Sequence, residues 1–145
     1  MDRIKCILYE MLMFVFFHID ECCVHIEVYY QTLNEAYDNQ SHVYGIYTKM
    51  SGSVNGRSHY QSDFDNGAFG IWWCSSLSTN AWMISESSYH GQCTGYAAAA
   101  EDVKCPENVG WNWFYTDNQG WFAAEEGLGV YCTGTSVTYN FQSLI

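Results

Sequence analysis

The sequence predicts an all-β protein, a small antiparallel meander or sandwich secured by disulfides. Short runs of β-branched and aromatic residues alternate with turn sequences such as Asn55-Gly56 and Asp65-Asn66-Gly67. Aromatic residues make up 18% of the 145 residues and charged residues only 14%, which is typical of neither a disordered chain nor a coiled coil. All six tryptophans lie between Trp72 and Trp121, so the composition changes near residue 42.

The strands are expected in a regular order along the chain. Residues 24–33 (VHIEVYYQTL) predict one strand or a short amphipathic segment. Asn55-Gly56 predicts a hairpin turn, because both central residues of a type I′ turn need positive φ. A long connection follows, and its AAAAEDV portion is expected to form one helical turn that Pro106 ends. The downstream strands are predicted in VYGIYTKM, RSHYQS, AFGIWWCSS, AWMIS, WNWFYT, GWFAA and LGVYCTG.

These patterns divide the chain into four parts. Residues 1–23 form a signal-like or helical segment, in which two basic residues precede the apolar run Met11–Phe17. That run is too short to span a bilayer. Residues 24–42 are expected to be a strand and a linker, with a glycosylation sequon at Asn39. The Trp-rich β module covers residues 43–133, and residues 134–145 form a tail or an edge strand.

Seven cysteines are many for this length, and four of them lie in the Trp-rich part. An even set of four predicts two disulfides, with three connectivities open. A zinc site would instead prefer close C-x2–4-C pairs, which are absent here. Disulfides indicate an oxidising compartment. The alternative is an intracellular structural domain with reduced cysteines. The predicted disulfide residues are Cys74, Cys93, Cys105 and Cys132.

The charge balance limits the class of partner. The chain has 16 acidic and 5 basic residues, a formal net charge of −11. Nucleic acids and anionic membrane surfaces both need clustered Lys and Arg, which this chain lacks. The predicted partner is therefore an extracellular protein or glycan, without nucleic acid and without membrane insertion.

The residue patterns of known catalytic and metal sites are missing. The five histidines form no H-x-x-x-H pair, and there is no G-x-S-x-G sequence. The acidic stretch DFDNG at residues 63–67 lacks the glycine and the acid that a calcium loop needs at its sixth and twelfth positions, so it indicates a solvated turn. We therefore predict no enzyme activity, no cofactor and no metal.

In the order of its short motifs, the chain resembles an aromatic-rich extracellular module. The motifs are NGR, Tyr60, GIWW, AWMIS, CPE, WNW, GW and VYC. Modules of this pattern recur, often in tandem, in secreted and cell-surface proteins of invertebrates and unicellular eukaryotes. The resemblance covers residues 43–133 and implies a non-enzymatic, secreted or cell-surface domain. Ser58-His59 departs from the apolar or proline pair of the pattern, and Cys74 and Cys93 are additions to it.

The candidate binding residues are Arg57, Trp73 and Trp113. Arg57 either meets an acidic or sugar ligand, or it stacks on an aromatic ring and bonds loop carbonyls. Strand alternation puts Ile71 and Trp73 on one face of their strand and Trp72 and Cys74 on the other. Each indole is then either packed in the core or exposed at the surface. Exposed rings anchor protein partners or stack on sugars. The sequence thus predicts an extracellular binding or adhesion module acting through an aromatic surface, or alternatively a carbohydrate-binding domain.

Overall fold

The computed structural model describes residues 22–30, 42–110, 112–117, 120–123 and 128–134. These residues form one antiparallel sheet of nine strands, which confirms the predicted all-β class. In the same described residues, no helix is long and apolar enough to cross a membrane. The strands are β1 His25–Tyr30, β2 Gly45–Lys49, β3 Tyr60–Ser62, β4 Phe69–Ser75, β5 Asn80–Glu86, β6 Ala97–Ala99, β7 Phe114–Asp117, β8 Gly120–Ala123 and β9 Leu128–Cys132.

The sheet is a meander that curls back on itself. Its order is β8-β7-β6-β5-β4-β3-β2-β1-β9, so β8 and β9 lie at opposite edges. Nine strands spaced about 4.8 Å apart would separate the edges of a flat sheet by about 38 Å. Only four residues lie between β8 and β9, and they span at most about 18 Å. The sheet must therefore curve until its two edges approach each other.

Alternation along the strands produces two packed faces, as predicted for β4. Ile71 and Trp73 point into the curl, whereas Trp72 and Cys74 pack on the outer face. The outer cluster contains Trp72, Cys74, Ala81 and Met83, with Val54, Cys93 and Ala98 against it. The core inside the curl is larger and includes Ile26, Val28, Tyr47, Tyr60, Ile71, Trp73, Trp82, Ile84, Ala97, Ala99, Trp113, Leu128 and Val130.

Within the described part of the chain there are three disulfides, whereas two were predicted. All four predicted cysteines are bonded, but Cys105 and Cys132 pair with cysteines outside the predicted set. The physical reason is that β1 pairs with β9, which brings Cys23 near Cys132, while the segment after Cys105 packs at the start of β1, where the Cys23 N–H donates to Glu107. The predicted boundary at residue 43 therefore does not separate β1 from the sheet. The bonds are Cys22–Cys105, Cys23–Cys132 and Cys74–Cys93.

The alanine run is the other correction to the predicted elements. Ala97–Ala99 is a strand and not part of a helical turn, because it is hydrogen-bonded between β5 and β7. Its inward alanines leave room in the core for the indoles of Trp82 and Trp113. The other predicted strands all contain an observed strand. Of the predicted signal-like or helical segment 1–23, residues 1–21 lie outside the described residues, as do the sequon at Asn39 and the tail beyond residue 134.

Candidate functional site

Arg57 is held by contacts within the chain. It follows the turn Asn55-Gly56, whose φ angles of 50° and 81° are the positive values that the sequence predicted. Its guanidinium lies over the Trp73 ring, with Cζ 3.6 Å from the ring centroid. The same group donates hydrogen bonds to the Val103 carbonyl and to the Asp102 carboxylate. These contacts match the structural interpretation of Arg57 and leave its planar face covered.

The two candidate tryptophans are buried. Trp73 is 6% exposed and Trp113 is 1% exposed, so neither presents a ring to a ligand at the protein surface. Trp73 also packs edge-on against Trp82, with the ring centroids 5.8 Å apart. Core packing was the competing interpretation for each indole, and it is the one that the structure shows. An aromatic contact surface must therefore use other side chains.

Phe114 supplies an exposed ring on the outer face of the sheet. It follows the buried Trp113 directly, so strand alternation turns it outward, and it is 42% exposed. The outer row continues through paired positions across three more strands, in the order Phe114, Ala98, Met83 and Trp72. The small side chain of Ala98 leaves a depression beside the larger rings.

This depression is a groove of about 360 Å³ across β5, β6 and β7. Such a volume lies at the lower end of the range for small-ligand sites. Its floor is apolar, one rim is polar, and none of its lining side chains carries a charge. We call it the outer groove. It is lined by Ser78, Thr79, Asn80, Ala81, Met83, Cys93, Ala98, Ala100 and Phe114.

Comparisons with protein-family models, with curated proteins and with solved structures found no match. The interpretation of the outer groove therefore depends on its own geometry and chemistry.

The polar rim is ordered by local hydrogen bonds. The Ser76 N–H donates to the Thr79 carbonyl at 2.8 Å, and the Thr79 N–H donates to Ser76 Oγ at 3.0 Å. Ser75 Oγ donates to Asn80 Oδ1 at 3.0 Å, which holds the amide at the start of β5. The disulfide Cys74–Cys93 fixes the segment at Cys93, whose sulfur lies 3.8 Å from the Thr79 carbonyl oxygen, to β4. The groove is thus preformed in the fold.

A second polar cluster surrounds Glu107, beneath two of the disulfides. The Cys23 N–H donates to Glu107 Oε1 at 2.7 Å. Burial raises the pKa of Glu107, although the Cys23 hydrogen bond, its own backbone N–H and Lys49 oppose that rise. The carboxylate lies near the sulfurs of Cys22–Cys105 and Cys23–Cys132. Sulfurs bonded in disulfides lack the thiolate form that binds metals, so this cluster is structural in the oxidised chain.

The signal for the outer groove was present in the sequence but was not used. Strand alternation in WNWFYT turns Phe114 to the face opposite Trp113, and the candidate that was chosen from this strand was the indole of Trp113. Alternation turns the two rings to opposite faces of the sheet, and the outer face is left partly uncovered at Phe114. The alanine run, read as a strand, would have added a shallow outer surface beside Phe114.

Proposed function

We propose that this protein is a secreted or cell-surface binding module whose contact surface is the outer groove. The observation that carries the proposal is an uncharged groove beside the exposed ring of Phe114, on a sheet closed by three disulfides. Disulfides that join residues 83 and 109 positions apart are typical of proteins from oxidising compartments. The resemblance of residues 43–133 to recurring extracellular modules supports the same location.

Binding suits the groove better than catalysis does. Its hydroxyl groups, on Ser78 and Thr79, have no histidine or carboxylate among the other lining residues to activate them. A preformed, uncharged surface with one exposed aromatic ring is instead the kind of patch that anchors a partner. The function that we propose is therefore non-enzymatic.

A matched pair of variants tests this surface. Phe114 and Ile46 are 42% and 43% exposed, and both are strand residues that face outward. Tetramerised wild-type protein should bind cell surfaces, Phe114→Ser should lose most of that binding, and Ile46→Ser should retain it. Unfolding midpoints measured without reductant should show that both variants fold. Equal binding by the two variants would contradict the proposal.

The oxidised state is tested separately. Protein recovered from a secreting host should keep six cysteines protected from alkylation under denaturing conditions without reductant, as the three disulfides require. Full labelling of these six cysteines would favour the alternative of an intracellular domain with reduced thiols.

A carbohydrate ligand is the second candidate, and the polar rim favours it. Ser78, Thr79 and Asn80 line the same groove as Phe114, which combines groups that can bond sugar hydroxyls with a ring that can stack on a sugar face. A glycan array probed with wild type, Phe114→Ser and Ile46→Ser tests this candidate. Signals that disappear only with Phe114→Ser would support it, and an array without signals would count against it.

A further inference from the structure

His59 and His90 are neighbours in the fold, although they are far apart along the chain. Their ring centroids lie 4.9 Å apart, and the two ring planes are tilted by 48°. His59 directly precedes β3, and His90 follows the 3-10 turn Ser87–Tyr89 after β5. The sequence contains no H-x-x-x-H pair and therefore predicted no metal, whereas the fold brings two imidazoles together.

The segment that carries His90 is held firmly against the sheet. The His90 ring meets the Trp72 ring edge-on, with the ring centroids 5.4 Å apart. Trp72 Nε1 donates a hydrogen bond to the Gln92 carbonyl at 2.8 Å. The disulfide Cys74–Cys93 then joins the end of this segment to β4. The position of the His90 ring is thus fixed in the oxidised chain, which lowers the entropy cost of holding a ligand.

His59 has a ring nitrogen that is not satisfied. Its backbone carbonyl accepts the Met50 N–H at 2.9 Å, which fixes the main chain. Its Nδ1, however, is buried and has no hydrogen-bond partner among the described residues, an arrangement that costs free energy. Burial lowers the pKa of His59, and His90 lowers it further. The ring is therefore neutral at pH 7 and has a lone pair to give to a metal.

We propose that His59 and His90 together bind one divalent transition-metal ion, such as zinc. Zinc–nitrogen bonds of about 2.0–2.1 Å place the centroids of two imidazoles on one tetrahedral ion roughly 5 Å apart. The observed separation of 4.9 Å matches that requirement. The formal net charge of −11 also favours the approach of a cation. This site is separate from the outer groove, and its existence does not depend on the function proposed for the groove.

The other described histidines are engaged differently. His25 Nδ1 lies 3.0 Å from the Thr48 hydroxyl oxygen, and the His42 ring packs edge-on against Tyr96. In the described ranges, the clusters of three or more metal-ligating groups all contain Glu107 and disulfide-bonded cysteines, so no third such group joins the histidine pair. We therefore expect weaker binding than in a structural zinc site, which has four protein ligands.

Isothermal titration calorimetry of the oxidised protein with zinc chloride tests the site. Cys6, which is not part of the three described disulfides, is alkylated first so that its thiol does not compete. His59→Gln and His90→Gln should each bind zinc at least tenfold more weakly than wild type. His25→Gln and His42→Gln should bind it like wild type. Equal zinc affinity in all four variants, or a wild type that does not bind zinc at about 1 mM, would overturn the proposal.

A second measurement uses only the wild type and does not depend on any variant folding. Copper(II) binds nitrogen ligands more tightly than zinc does, and its unpaired electron broadens the NMR signals of nearby protons. Copper(II) at less than one equivalent should broaden the ring signals of His59 and His90 before those of His25 and His42. Calcium prefers oxygen ligands and should not displace zinc. Earlier broadening at His25 or His42, or displacement of zinc by calcium, would assign the ion to other groups and overturn the proposal.

Discussion

The guanidinium of Arg57 lies flat over the indole of Trp73, with 3.6 Å between Cζ and the ring centroid. Its donors reach the Val103 carbonyl and the Asp102 carboxylate, so one side chain joins the Asn55-Gly56 turn to the segment after β6. Arg57 thus fastens two loops over the buried indoles, and its guanidinium is engaged by groups of the same chain.

Replacing Arg57 should destabilise the fold. Arg57→Ala removes the stacking and a hydrogen bond from a charged donor to a carbonyl, and we expect a loss of about 2–3 kcal/mol in the free energy of unfolding. Arg57→Lys keeps the charge but not the planar fork, so its loss should be smaller. Asp102 is exposed, and Asp102→Asn should cost less than about 1 kcal/mol. Urea titrations without reductant measure all three, and equal losses in the first two variants would contradict the stacking argument.

The disulfides should contribute similar amounts despite very different separations. Removing Cys74–Cys93, whose residues are 19 apart, should cost about 3 kcal/mol under the chain-entropy model. Cys22 and Cys105 are 83 apart, but Cys23–Cys132 already closes the chain beside them. While Cys23–Cys132 is intact, the Cys22–Cys105 bond closes an additional loop of only roughly 30 residues. Removing it should therefore lower the free energy of unfolding by about 3.5 kcal/mol.

Double alanine variants of each pair measure these two costs by urea unfolding. A cost for the Cys22–Cys105 pair that exceeds the other by about 1 kcal/mol or more would mean that the two neighbouring disulfides act independently. Peptide mapping of the wild type should recover the three bonded pairs.

Glu107 should make the fold less stable as the pH rises. Its folded-state pKa lies above the ordinary value of 4.5 because of burial, so the folded chain holds the proton more tightly than the unfolded chain. That stabilisation is complete below pH 4.5 and is lost as the pH rises through the raised pKa. Glu107→Gln still accepts the Cys23 N–H but does not ionise. As the pH rises from 4.5 through the raised pKa, the free energy of unfolding of Glu107→Gln should increase relative to that of wild type. A difference that does not change with pH would contradict the raised pKa of Glu107.

His59 should give the opposite pH dependence. Burial lowers its pKa from the ordinary 6.5, and His90, whose ring centroid lies 4.9 Å away, lowers it further. The unfolded chain therefore takes up the proton first, and stability present above pH 6.5 is lost as the pH falls towards the lowered pKa. His59→Gln should flatten the pH dependence of the unfolding midpoint below pH 6.5, and His90→Gln should flatten it partly. An unchanged slope in His59→Gln would show that another group causes the loss.

Local chemistry in the sequence specified much of the fold. Asn55-Gly56 predicted its turn because few other residues tolerate positive φ, and alternation assigned Ile71, Trp73, Trp72 and Cys74 to their faces. These signals depend only on neighbours along the chain, so one sequence contains them in full.

The features that sequence reasoning missed depend on contacts distant in sequence. Alanine has little strand preference of its own, and Ala97–Ala99 becomes a strand because β5 and β7 bond to it on both sides. Cys22 and Cys23 found their partners only through the position of β1 between β2 and β9. Whether Trp113 or Phe114 faces water depends on which face of the sheet lies inside the curl. The identities of these two residues do not determine that face.

The bond between Cys23 and Cys132 also determines how the protein would respond to pulling. It joins residues 109 positions apart, close to both ends of the described sheet. Tension applied at Cys22 and Gly134 passes across this sulfur bridge and bypasses the strands between. Under such a force the segment between Cys22 and Gly134 would extend by only a few residues, and it would lengthen fully only after a reductant had cut all three disulfides.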